Sequence, residues 1–263
     1  MKRPKRSNPV ATAPNPVTTL SSPATIVFAY VFVVVGLIFL WVQPSSAQSV
    51  TGTTGLFSIP SARTMPDKTV SAGFYFFPGA LSSYSRGGLY NNGNFHATLT
   101  FLPRLEVMFR YTGMLGESKS TRKIRFMDRM MTARIHILRE REIAPSIVLG
   151  FQDFGGTVGA SVNSYFGTNY VVASKSILFS SGLADISAGY AYDLKNDPSI
   201  VMKGFFAGSE FQFSQTPNVS LIVEYDSKRF NSSIKGDFGV FQCLAGLMSM
   251  KFFSGGCSAK ILL

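Results

Sequence analysis

LEVMFRYT, Leu105 to Thr112, reads with a period of two: Leu105, Val107, Phe109 and Tyr111 share one face, and Glu106, Met108, Arg110 and Thr112 the other. Successive side chains of a strand point to opposite sides, so the stretch predicts a strand with one apolar and one mostly polar face. The rhythm continues on both sides. In TVSAGFYFF, Val70, Ala72, Phe74 and Phe76 alternate with Thr69, Ser71, Gly73 and Tyr75. MTARIHI sets Met131, Ala133, Ile135 and Ile137 against Thr132, Arg134 and His136, and DISAGYAY sets Ile186, Ala188, Tyr190 and Tyr192 against Asp185, Ser187, Gly189 and Ala191. In AGSEFQF and LIVEY, Glu210 and Glu224 oppose most of the apolar residues. With further segments near Phe95–Phe101, Ser146–Gln152, Tyr170–Ile177, Ser233–Phe238, Leu244–Phe252 and Ser258–Leu263, about a dozen strands are expected.

Such strands bury their apolar faces inward in a soluble sandwich, or turn them outward to lipid in a membrane barrel. Composition favours the barrel. Charged residues are 15% of the chain against roughly 25% in an average soluble domain. Aromatics stand near predicted strand ends (Phe76, Phe77, Phe101, Tyr111, Tyr190, Tyr192). The expected fold is all-β: an antiparallel transmembrane β-barrel of about 12 strands over residues 68–263, preceded by a periplasmic or plug segment at 48–67.

The front end reads as an export signal. Lys2, Arg3, Lys5 and Arg6 precede the uncharged run Ala24 to Val42, and Ser45 and Ala47 suit cleavage after Ala47. A retained membrane helix is the alternative, because 19 residues can span a bilayer. Removing residues 1–47, which hold four cations and no acid, lowers the net charge from +11 to +7. For an exported protein this balance points to lipopolysaccharide or acidic polysaccharide rather than nucleic acid. Cys243 and Cys257 centre on Met250, inside an apolar run, while Ser254-Gly255-Gly256 looks like the turn. That register predicts two free thiols.

The segment Gly116 to Arg134 is basic. Lys119, Arg122, Lys123, Arg125 and Arg129 are candidates for contact with glycan or lipopolysaccharide anions, against a plain solvated loop. Glu106, Arg110, Arg134, His136, Lys175, Asp185, Glu210 and Glu224 form an expected inward row that either pairs across a narrow lumen or lines a small channel.

LGFQDFGGT, Leu149 to Thr157, contains the Asp-Phe-Gly of protein kinases, but no Gly-rich loop, strand Lys or His-Arg-Asp accompanies it, and the triplet recurs at Asp237 to Gly239. Instead, IAPSIVLGFQDFGGT and YFGTNYVVASKSI resemble the YjbH/GfcD-like family of outer-membrane proteins linked to exopolysaccharide production. The matches include Pro145, Gly150, Asp153, Phe154, Gly155, Gly156, Thr157, Tyr170 and Val172 to Lys175. GLFSIPSARTMPDKTV, Gly55 to Val70, is similar to the family's segment before its first strand, with Lys68 where Gly is expected, and VEYDSKRFN resembles its late Glu-Tyr-Asp element. Members of the family are often longer lipoproteins, whereas this chain has room for one barrel, shows no lipobox and ends in SAKILL. In the motif, Gly155 and Gly156 permit a sharp turn, Asp153 can accept its backbone N–H groups, and Lys175 is expected to pair with Asp153.

No catalytic or metal spacing accompanies the only histidines, His96 and His136, and neither an enzyme nor a cofactor is expected. The resemblance implies a non-enzymatic barrel that assists exopolysaccharide or capsule production or export, as scaffold, glycan contact or conduit. Its expected partners are outer-membrane lipid, anionic polysaccharide and other export proteins. A membrane-anchored or secreted β-sandwich that binds glycans, and a small barrel hydrolase, are the alternatives.

Overall fold

The computed structural model describes residues 48–82, 90–115, 124–154, 166–193 and 202–263, with backbone alone at 124–127. The predicted leader, Lys119, Arg122, Lys123, Gly155 and Gly156 lie outside the described residues.

Twelve strands are described: β1 (Thr69–Phe77), β2 (Asn91–Leu102), β3 (Leu105–Leu115), β4 (Ile124–Leu138), β5 (Ser146–Gln152), β6 (Thr168–Phe179), β7 (Gly182–Tyr192), β8 (Gly204–Phe213), β9 (Val219–Tyr225), β10 (Phe230–Phe238), β11 (Phe241–Met248) and β12 (Phe252–Leu262). Each pairs antiparallel with its sequence neighbours, and β1 pairs with β12 from Thr69↔Leu262 to Phe76↔Gly255, which closes the barrel. Closure leaves no unpaired edge, the condition for strands to cross lipid.

The alternation resolves as expected. Glu106, Met108, Arg110 and Thr112 are buried in the lumen, while Phe109 and its equivalents Phe95, Ile135, Ile177, Ile186 and Ile234 face outward and exposed. Exposed aromatics collect at both rims: Phe101, Phe179, Phe213, Phe238 and Phe241 at one, and Phe151, Phe154, Tyr192, Phe205, Phe230 and Phe253 at the other. An apolar band between two aromatic girdles is the outer surface of a transmembrane barrel. Phe77 departs from the girdle set, since it turns inward and packs edge-on against Phe166 at 5.5 Å.

The two ends differ. Strand connections at the end where β1 starts and β12 stops, here the terminal mouth, cover 103–104, 139–145, 180–181, 214–218 and 239–240. Those at the opposite loop end cover 78–90, 116–123, 153–167, 193–203, 226–229 and 249–251. Short turns at one end and longer loops at the other are the usual asymmetry of such barrels.

The belt makes a prediction. Ile234 sits outward at the middle of β10, 59% exposed, beside Leu221 and Ala245. Ile234→Arg is expected to cost about 2–4 kcal/mol in urea unfolding from lipid vesicles, as an Arg at the bilayer midplane does. A change within about 0.5 kcal/mol, typical of a water-exposed site, would contradict the lipid-facing assignment.

The expectation of free thiols is corrected: Cys243 and Cys257 form a disulfide. The turn lies at 249–251, where Ser249 and Met250 have φ of 54° and 53°, rather than at Ser254 to Gly256, which belong to β12. Two consecutive left-handed residues match the twist of a hairpin, so Met250 is near its centre and Cys243 stands opposite Cys257. The apparent strand Leu244–Phe252 is thereby split. Lys68 adopts φ 59°, the left-handed conformation that suits the Gly expected at that position.

Candidate functional site

The lumen is filled by residues 48–66. The segment is tied locally by two tight turns, with Ser49 N–H on the Thr53 carbonyl at 2.9 Å and Leu56 N–H on that of Ile59 at 2.9 Å. Gly52 has φ 88°, and a Cβ there would lie 2.7 Å from that of His96, so only glycine suits this close approach to the wall.

Apolar residues of the segment make the centre of the core. Val50, Leu56, Phe57, Ile59 and Ala62 pack with inward residues of the wall, among them Tyr75, Met130, Val148, Tyr170, Val172, Phe206, Ile222 and Leu244. Polar wall residues take up the segment's backbone. The Glu224 carboxyl accepts the N–H groups of Phe57 (3.0 Å), Ser58 (2.8 Å) and Ile59 (3.3 Å) and the Ser58 hydroxyl. Glu106 accepts the N–H and hydroxyl of Thr54 at 3.2 and 2.7 Å. Arg134 bridges Glu106 at 2.7 Å and the carbonyls of Ser61 and Arg63, with neither charged side chain exposed. Arg110 donates to the Thr51 carbonyl and stacks over Phe166, 4.1 Å from the ring centre. Asn94, Thr98 and Thr100 donate to the carbonyls of Val50, Gly52 and Pro66.

Both ends of the segment lie toward the terminal mouth. Gln48 N–H meets the Gln242 side chain near the start of β11, and its amide meets the Met65 sulfur at 3.2 Å. Arg63 binds Glu140, Asp185 and Ser176 together. Burial opposes the charge of Glu140, but the Arg63 guanidinium, the Ser176 N–H and Lys175 hold its carboxyl below the usual carboxylate range. Asp185 and Glu210 face each other across β7 and β8, and Arg63 and Lys235 respectively offset this like-charge contact. Asp237 lies 3.6 Å from Lys235 and 3.7 Å from Lys260.

A cavity of about 420 Å³ opens at this mouth, between the outgoing chain at 62–67 and the β4–β5 connection, with Thr64, Asp67, Pro103, His136, Arg139 and Glu140 in its lining. His136 Nε2 lies 2.6 Å from Ser146 Oγ, whose hydroxyl also meets the Ala62 carbonyl at 2.8 Å. Sequence reasoning named neither Ser146 nor Arg63 as part of a site.

The proposed Asp153–Lys175 pair does not form. Gly150 pairs with Tyr170 and Ser146 with Ser174, so Asp153, past the end of β5, and Lys175 stand toward opposite ends of the barrel. Lys175 also faces outward, not into the lumen, since its neighbour Ser174 is the buried one; its ammonium meets Glu140 at 3.2 Å and the carbonyls of Arg141 and Glu142. Asp153 is buried with φ 62°, a left-handed position that Asp tolerates because its short side chain can bond locally. Phe154 lies exposed beside it. Arg125 belongs to β4 opposite Met114, and Arg129 faces outward over the Tyr111 ring at 5.9 Å.

No curated protein sequence matches the chain. Among solved structures, an outer membrane channel from Pseudomonas putida F1 is similar at a TM-score of 0.42 and 11% identity, over 76% of this chain and 97% of that one. The profile of the YjbH family, described as exopolysaccharide biosynthesis protein YbjH, matches residues 47–242. The chain belongs to the YjbH family of exopolysaccharide biosynthesis proteins.

Proposed function

We propose that the chain is a non-enzymatic outer-membrane barrel that serves exopolysaccharide or capsule production as a scaffold and glycan contact, not as an open conduit. The filled lumen carries this reading. Withdrawing residues 48–66 would break more than ten wall contacts, at a net of roughly 1 kcal/mol for each hydrogen bond. It would also expose Leu56, Phe57 and Ile59, at roughly 1.5–3 kcal/mol apiece. The total exceeds the roughly 5–15 kcal/mol that stabilises a whole ordinary domain. A polymer does not pass such a core by thermal fluctuation.

The outer membrane fits a barrel with an apolar belt, an export-type leader and long loops at one end. With the terminal mouth toward the periplasm, Arg129 beside Tyr111 stands near the outer leaflet, where lipopolysaccharide phosphates would meet it. Against hydrolysis, Ser146 is buried and its hydroxyl has the Ala62 carbonyl as an acceptor, so with the proton on Nε2 the His136 ring acts as a donor that fixes the inner segment. The test is conductance in planar bilayers. The intact chain is expected to insert without ohmic steps; reproducible single-channel steps from it would overturn the closed-scaffold reading.

A further inference from the structure

The cavity at the terminal mouth is a preformed pocket. Its volume of about 420 Å³ falls within the roughly 300–1,000 Å³ of small-molecule sites, and the filled lumen behind it gives a ligand no onward path. Its lining comes from separate stretches of chain that are tied to one another: Arg63 to Glu140, Arg139 to the Pro103 carbonyl at 3.1 Å, and Ser146 to both His136 and Ala62. A lining fixed in this way needs little ordering when a ligand binds.

The chemistry of the lining is mixed in a particular manner. Glu140 has its charge offset by Arg63 and Lys175 and its oxygens taken up by them and by Ser176, so it forms a neutralised wall of the cavity. Arg139 meets the neutral Pro103 carbonyl, and among the described residues no carboxylate lies within salt-bridge distance of it. Thr64 adds a hydroxyl that both donates and accepts, His136 adds its Nδ1 as an acceptor, and Pro66 and Pro103 add apolar walls. Hydroxyl acceptors, one uncompensated guanidinium and C–H surfaces together complement a ring that bears hydroxyls and a carboxylate.

Resting on the exopolysaccharide reading above, we infer that this mouth cavity binds a short stretch of an acidic saccharide, with a uronate-type carboxylate on Arg139 and ring hydroxyls on Thr64 and the His136 Nδ1. The ligand is held at the surface of the barrel and is not transported through it.

Isothermal titration of the folded barrel in detergent tests this with tetragalacturonate as the acidic probe and maltotetraose as the neutral one. The acidic probe is expected to bind and the neutral one to bind at least about tenfold more weakly, the worth of one charge-assisted contact. Arg139→Gln is expected to remove that preference, while Lys251→Gln, an exposed cation in the 249–251 turn at the opposite end, leaves it intact. Equal binding of both probes, no binding of either, or an unchanged preference in Arg139→Gln would each overturn the inference. Conductance steps would defeat the closed scaffold without touching this result, so the two failures are distinguishable.

Discussion

Arg134→Met is expected to destabilise the barrel by about 3–5 kcal/mol, because it strands Glu106 as a buried charge with its cation removed. The carbonyls of Ser61 and Arg63 lose their donor in the same step. The double variant Glu106→Gln/Arg134→Met is expected to recover part of the loss, since its buried residue is then neutral and can still accept from Thr54. Urea midpoints at unchanged slope measure both. A single-variant loss below about 1 kcal/mol would show that water reaches Glu106 and that the lumen is wetter than the packing implies.

Glu224→Leu is expected to cost about 4 kcal/mol. Leucine fills much of the volume but offers no acceptor, so the N–H groups of Phe57, Ser58 and Ile59 remain buried without partners, at roughly 1–3 kcal/mol each. Asn231 loses the same carboxyl as an acceptor at 3.0 Å but keeps Asp226 at 3.2 Å. Hydrogen exchange locates the damage: the amides of Phe57 to Ile59 should exchange faster, while those in the β1–β12 seam stay protected. Uniform acceleration around the barrel would mean that Glu224 supports the wall rather than the segment inside it.

The wall was legible because a strand's period of two separates lipid from lumen wherever the inward face is polar, as in Leu105 to Thr112. The filling was harder to read. Stretches such as Ser146–Gln152 and Tyr170–Ser174 carry Val148, Tyr170 and Val172 inward beside outward Leu149 and Val171. Apolar residues on both faces signal strands buried on both sides. That signal stands in the sequence but went unused: the inward row was read only as charges that pair across a narrow lumen or line a small channel. The disulfide was missed because Ser249 and Met250 lack the residue types that mark a left-handed turn, so the hairpin centre was placed several residues too late. Asp153 and Lys175 sit close in a motif, but strand pairing sends them toward opposite ends. Register decides which motif residues meet, and sequence spacing does not disclose it. The mouth cavity had no sequence signal, since 62–67, Pro103, 136–140 and Ser146 come together only through closure.

The seam between Thr69 and Leu262 joins the first strand to the last and therefore cannot form until the whole wall has been delivered. Contacts of such long sequence separation are the slow ones in folding. The segment at 48–66 precedes the wall in the chain but ends up within it, where its contacts with Glu106, Arg134 and Glu224 tie β3, β4 and β9 to one inner strut. The closed sheet thereby has a contact that fixes its width from inside, independent of the seam.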